Sequence, residues 1–311
     1  MQTRFITYED AAGKVSWPDV ISALEAGHRR PRAEIRDLFL GPAEATLLNR
    51  AAYIEGLGYG VKAVTVVDAN AARGLPTVQG AMTVFAPDTG APTAIVESRL
   101  VTEYKTAADS VLGARLLARP ESRHLVIAGA GVVARSLVHA YSAGFPGLER
   151  ITLWARRPEQ AEALAAELSG GGVEIAAATD LAQAVGSADI VASATMARVP
   201  FLQGDWVAPG THVDLIGAFK ADMREADDTL ITRATLFADS RDTTLHHIGE
   251  YLIPLKAGVI GEADLVADLY DLVPGSHAGR AGADEITLYK NGGGAHLDLM
   301  TAMCIAGALD A

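Results

Sequence analysis

The spacing of apolar positions divides the chain into two kinds of segment. Residues 16–30, "SWPDVISALEAGHRR", carry apolar side chains at helical intervals, and Ser16 and Pro18 suit the cap and first turn of a helix. From "LLNRAAYIEGLGYGVKAVTVVDAN" to "TVQGAMTVFAPDTGAPTAIVESR" the period shortens to that of strands. Here β-branched runs are interrupted by the turn sequences "GLGYG", "ARGLP" and "PDTGAP". A helix follows in "VTEYKTAADSVLGARLLA" and is ended by "RPESR". Strand and helix then alternate through "HLVIAGAG", "SLVHAYSAG", "RITLWARR", "PEQAEALAAELS", "VEIAAA", "LAQAVGSA", "DIVASAT" and "HVDLIGAF". Uniformly apolar strands alternating with helices form parallel sheets covered on both faces. The last segment, "ITLYKNGGGAHLDLMTAMCIAGALDA", reads as a strand, a glycine turn and an apolar helix that return to the first domain. The pattern predicts an α/β protein. An N-terminal β-rich domain spans residues 1–118 and is completed by 288–311; a Rossmann-type parallel-sheet domain spans 119–287.

The start of the second domain carries the first candidate chemistry. Gly129, Gly131 and Ala134 form G-x-G-x-x-A between a strand and a helix. The first glycine permits a tight turn, the second lets a pyrophosphate approach the backbone, and the small third residue lets helix and strand pack closely. The whole turn, Gly129, Ala130, Gly131, Val132, Val133 and Ala134, is the candidate pyrophosphate cradle, at a helix N-terminus that favours an anion. The next strand ends in Ala155, Arg156 and Arg157, without the acid that would bind a ribose 2′-hydroxyl. Two guanidinium groups suit a 2′-phosphate, so NADPH is the expected cofactor, with NADH weaker.

Composition narrows the alternatives. The 311 residues carry a formal net charge of −12, which argues against a nucleic-acid partner. One cysteine, Cys304, lies in an apolar run and excludes an intramolecular disulfide or a thiolate metal cage. His246 and His247 have no evident third ligand, so no metal is expected. The charged N-terminal sequence and the lack of a membrane-length apolar run give the expectation of a soluble, cytoplasmic protein with no membrane partner.

Several segments in order, "YGVKAVTV", "GLPTVQG", "DTGAPTAIVES", "VTEYKTAADSVLGARLLARP", "VIAGAGVVARS", "ADIVASAT", "PGTHVDLIGA" and "EITLYKNGGG", resemble the ornithine cyclodeaminase/mu-crystallin family over essentially the full length. The resemblance implies a homodimer whose N-terminal domain holds a small amino- or imino-acid substrate and forms the subunit interface. By it, Lys62 and Thr77 match substrate-site residues, and Arg36 matches a substrate arginine, with Arg32 as its rival. Lys105 stands where the family's "RTAA" motif has arginine, keeping the charge but losing the planar fork. Thr195 and Asn291 fall in segments expected beside the cofactor.

Position 219 is the most informative departure. Cyclodeaminases of the family carry an aspartate there that works on the amino group, whereas this chain has Phe219. Asp214 and Asp222 stand at other offsets. A phenyl ring cannot act as a base, which withdraws the oxidative half of the chemistry. Reduction of a preformed cyclic imine survives the change, with Phe219 packing against the ring. The ending "YKNGGGAHLD" also resembles family members that reduce Δ1-pyrroline-2-carboxylate. The expected activity is therefore reduction of that ketimine, or of its six-membered homologue Δ1-piperideine-2-carboxylate, to proline or pipecolate. His296 is the first candidate for the proton donor and Lys105 the second, with Lys62 in the same catalytic group. The alternatives are a cyclodeaminase or alanine-dehydrogenase-like enzyme, and a binding protein that holds NADPH and a small ligand without turnover.

Overall fold

The structure, a computed structural model, describes residues 3–309. It comprises two compact units. One runs to Ala108 and resumes at Gly293; the other is Asp109–Gly292.

The first unit opens with β1 (Arg4–Ile6), α1 (Tyr8–Ala11) and α2 (Trp17–His28). The Ser16 hydroxyl caps α2 by accepting the Asp19 N–H, with Pro18 in the first turn. Strands β2 (Glu34–Leu40), β3 (Ala45–Ile54), β4 (Gly58–Val67), β5 (Val78–Phe85) and β6 (Pro92–Glu97) follow, and then α3 (Ser98–Leu117). The sheet order is β1-β6-β5-β4-β3-β2, antiparallel except for the β1–β6 pair. Alternation is clear in β4, where Gly58, Gly60, Lys62 and Val64 are buried and Tyr59, Val61 and Thr65 are exposed. Pairing fixes one row across the buried face: Asp37, Arg50, Lys62, Met82 and Val96. That face is covered by the last helix of the chain, which also packs on α2.

The second unit contains β7 (His124–Ala128), α4 (Val132–Gly144), β8 (Arg150–Trp154), α5 (Pro158–Leu168), β9 (Glu174–Ala178), α6 (Leu181–Gly186) and β10 (Ile190–Ser193). It continues through β11 (His212–Leu215), α7 (Asp228–Arg233), β12 (Thr235–Ala238), α8 (Arg241–Thr244), α9 (Gly249–Lys256), β13 (Leu265–Asp268), α10 (Leu269–Leu272) and β14 (Thr287–Lys290). All strand pairs are parallel, in the order β13-β12-β14-β11-β10-β7-β8-β9. Strand order reverses between β7 and β10, the switch point at which such sheets hold dinucleotides. Val126, Val191, Val213, Leu215 and Leu288 stand in its apolar core.

The final helix is α11 (Ala295–Ala308), apolar almost all round, as a buried helix must be. The turn from Gly293 and α11 belong to the first unit. The strand before them does not: β14 pairs with β11 and β12. The division also falls inside α3, at Ala108, rather than at residue 118. The reason is local packing, since Asp109 accepts a hydrogen bond from the Tyr289 hydroxyl at 2.8 Å and Gly113 lies against the same ring. Among the described residues no helix is long and apolar enough to cross a membrane.

Candidate active site

In the second unit, the turn after β7 has the form that a dinucleotide requires. Gly129 has φ +137°, and a Cβ there would lie 2.8 Å from the Ala194 carbonyl oxygen. Gly131 caps α4, and the space that its Cβ would occupy is open, so an anion can reach the backbone N–H groups. Ala134 is fully buried against the strand side, while Val132 is exposed. Val133 and Ala130 are half-buried beside it. Arg156 and Arg157 are both exposed at the end of β8, and Arg157 opens α5. The residues therefore fit the group that the motif implies.

Thr195 is held by a residue that the sequence reading missed. Oε1 of Glu225 accepts the Ser193 hydroxyl (2.7 Å), the Thr195 N–H (2.8 Å) and the Thr195 hydroxyl (2.7 Å), and its Oε2 accepts the Gly217 N–H (2.7 Å). Glu250 in turn accepts the N–H groups of Glu225 and Ala226, each at 2.9 Å. Burial, followed by the charge of Glu225, pushes Glu250 up to about 7. The buried Lys290 donates to the carbonyls of Leu215 and Asn291 at 2.6 and 2.7 Å. This network ties together the ends of β10, β11 and β14.

One expectation in this unit changes. Asn291, expected beside the cofactor, is only 3% exposed and donates its side-chain amide to Ser110 at 3.0 Å, so its side chain is committed to the interior. Phe219 is an exposed ring with the Lys220 ammonium 5.6 Å from its centroid. Neither nearby aspartate replaces the base missing at 219. Asp214 is fully buried and pushed up to about 7 by that burial, and Asp222 is exposed and paired with Arg198.

The first unit concentrates charge. Lys62 donates to Thr102 Oγ1 at 2.6 Å and to Asp298 Oδ1 at 3.1 Å. Lys105 meets the same Oδ1 at 2.6 Å and donates to the Gly293 carbonyl at 2.8 Å. That carbonyl also accepts Arg50 Nη1 at 2.7 Å, and the other side of the guanidinium pairs with Asp37 at 3.0 Å. Lys62, Lys105 and Asp298 are 5%, 4% and 0% exposed. Burial, reinforced by the like charges of Lys62 and Arg50, pulls Lys105 down to about 7 against the opposing pull of Asp298. Burial alone would raise Asp298, but Lys105, Lys62 and Arg50 hold it at about 2.

The structure places Lys62 and Lys105 on one carboxylate, Asp298, with Arg50 beside them. Arg36 is not with them. Strand pairing puts Asp37 on the lysine face and Arg36 on the other, where it is exposed and its Nη1 donates to the adjacent Ile35 carbonyl. Its rival Arg32, just ahead of β2, is exposed as well. Thr77 is half-buried ahead of β5, its carbonyl accepting the Val67 N–H at 2.8 Å; Lys62 takes Thr102 as its hydroxyl partner instead. His296 is 1% exposed, its ring perpendicular to that of His28 with centroids 5.3 Å apart. Burial, His28 and the nearby cations push it well below the ordinary range, so it is neutral at pH 7 and holds no proton to give as an imidazolium.

Two of these residues left traces in the sequence. The turn between Ile54 and Gly58 sets a register that places Arg50 opposite Lys62. Asp298 is a lone acid in an otherwise apolar helix, and such a group requires a charged partner.

Comparison with known proteins agrees with this architecture. The model of the ornithine cyclodeaminase/mu-crystallin family matches residues 47–310. The Δ1-pyrroline-2-carboxylate reductase of Paracoccus denitrificans is 62% identical over 303 residues, 97% of this chain and 96% of the relative. The Thermococcus litoralis Δ1-pyrroline-2-carboxylate reductase, solved with NADH and L-proline, superposes with a TM-score of 0.91 at 30% identity, covering 98% of this chain and 97% of that one. An archaeal alanine dehydrogenase dimer with bound NAD gives 0.92 at 26% identity, over 99% and 96%. The two-unit fold, the glycine turn and the family match together establish that this chain belongs to the ornithine cyclodeaminase/mu-crystallin family.

Proposed function

We propose that the chain reduces a cyclic ketimine carboxylate, Δ1-pyrroline-2-carboxylate or Δ1-piperideine-2-carboxylate, to the cyclic amino acid, with NADPH preferred over NADH. The observation that carries this reading is the buried Lys62–Lys105 pair, in a chain 62% identical to a reductase of the five-membered ketimine. The turn Gly129–Ala134 holds the pyrophosphate, and Arg156 and Arg157 take the 2′-phosphate. The bound dihydronicotinamide supplies a hydride for the imine carbon. Lys62, with Arg50 behind it, attracts the substrate carboxylate. Lys105 gives its proton to the ring nitrogen, so that C=N gains one hydride and one proton and becomes CH–NH. A lysine near 7 is half-loaded at neutral pH, the condition that suits a general acid. His296 does not serve, being buried and neutral.

The cyclodeaminase alternative lacks its base at Phe219, and of the neighbouring aspartates Asp214 is fully buried and Asp222 is paired with Arg198. One assay pair decides. NADPH oxidation at 340 nm with Δ1-pyrroline-2-carboxylate is expected to be fast, and ammonia release from L-ornithine with NAD⁺ absent. Ammonia release would overturn the assignment, and NADPH binding without oxidation of either ketimine would favour a binding protein.

The chain also forms a homodimer through the uncovered face of the first sheet. That face presents Phe5, Leu38, Leu40, Tyr59 and Val61, all exposed, an apolar surface of the kind that marks an interface. Leu38→Glu with Val61→Arg is expected to shift the mass in light scattering from twice 32.4 kDa to 32.4 kDa. A variant still at the dimer mass would exclude this face.

A further inference from the structure

We propose that Asp298 is the positioning residue of the lysine site: its Oδ1 draws the Lys62 and Lys105 ammonium groups to one point, and so sets both where a carboxylate binds and when Lys105 carries a proton. The inference rests on the ketimine reading only for the identity of the substrate.

Among the described residues, the charged groups that act on Lys105 come from three elements. Lys62 comes from β4, Arg50 from β3, and Asp298 and His296 from α11, with the Gly293 carbonyl beside them. Asp37 of β2 is engaged by Arg50, and His28 of α2 lies against His296. Both histidines are buried, and His296 is neutral. The three cations Arg50, Lys62 and Lys105 therefore face two carboxylates, Asp37 and Asp298. With Lys105 protonated, one excess positive charge remains, which a substrate monocarboxylate neutralises. Asp298 is the one anion in direct contact with either lysine among the described residues, and both meet it on the same oxygen.

Removing that charge has a definite sign. Without Asp298, Lys105 faces only like charges in a buried setting, and it must release its proton at lower pH. Removing Lys62 acts oppositely, because a like charge leaves. Neither effect is expected from a residue that merely fills space.

The test follows the Lys105 side-chain ¹⁵N resonance with pH, assigned through Lys105→Arg, in the full-length wild type, Asp298→Asn and Lys62→Met. The pH profile of kcat/KM is measured in parallel, and NADPH fluorescence verifies folding. In Asp298→Asn the Lys105 midpoint is expected to fall by at least one pH unit. For a fall of one unit the alkaline limb of kcat/KM should follow it, costing about ninefold of the activity at pH 8 but only about twofold at pH 6. Lys62→Met should move the midpoint upward. An unmoved midpoint in a folded Asp298→Asn protein overturns the proposal, as does a uniform loss of activity at every pH. If Asp298→Asn does not fold, the smaller Asp298→Ser carries the same measurement. Should no ketimine be reduced at all, the resonance still decides the role of Asp298, because it needs no substrate.

Discussion

Lys105→Arg is expected to lower kcat for the cyclic ketimine by about a hundredfold while raising KM only a few-fold. Arginine keeps the charge and cannot release its proton in the working range, so the substitution separates two roles that the lysine combines. Loss of a positioned general acid costs on the order of 10²–10⁴ in rate. The lower end applies here because part of the imine arrives already protonated. In the wild type the rate should fall as the pH rises through about 7, where Lys105 loses its proton. In Lys105→Arg the decline that belongs to Lys105 should be lost, leaving a low profile that follows only the protonation of the imine itself. Arginine is also the residue of the family's own motif at this position, so a loss of activity on restoring it would show that this chain relies on an acid of its own. Unchanged kcat would reduce Lys105 to a carboxylate clamp.

The second large effect concerns the cofactor. Arg156→Ala together with Arg157→Ala should raise KM for NADPH by about 30-fold, roughly 2 kcal/mol, and that for NADH by less than threefold. The figure is kept low because both side chains are exposed, where solvent and salt weaken charge pairs. The NADPH penalty should shrink further as ionic strength rises. Equal effects on both nucleotides would remove the 2′-phosphate assignment.

Much of the architecture is written locally. Alternation in β4 and the glycine turn after β7 need only neighbouring residues, and both are found where the pattern places them. What fails to read is whatever depends on distant pairing. A shift of one residue in β2 separates Asp37 on the lysine face from Arg36 on the other, and spacing along a diverged segment cannot resolve that difference. The strand Thr287–Lys290 reads as the start of a returning segment, because nothing local states that it will insert between β11 and β12. Glu225 sits in the polar stretch "MREAD", where nothing local marks an interior residue, yet it is fully buried and collects four hydrogen bonds. His296 reads as a reactive group in a glycine-rich turn; only the packing of α11 on α2 reveals it as an interior residue.

The order in which the chain leaves the ribosome gives the paired ends of the first unit a further meaning. The sheet of β1–β6 is made first, but the helix that covers it and supplies Asp298 is made last. The second unit, contiguous from Asp109 to Gly292, has its whole sequence in hand earlier. Nascent chains usually mature from the N-terminus onward; here the first-made sheet waits for the last-made helix. Its apolar face lacks its covering helix throughout that interval, a window in which exposed apolar surface favours self-association. The second unit is encoded by one continuous gene segment, whereas the first needs its two ends brought together.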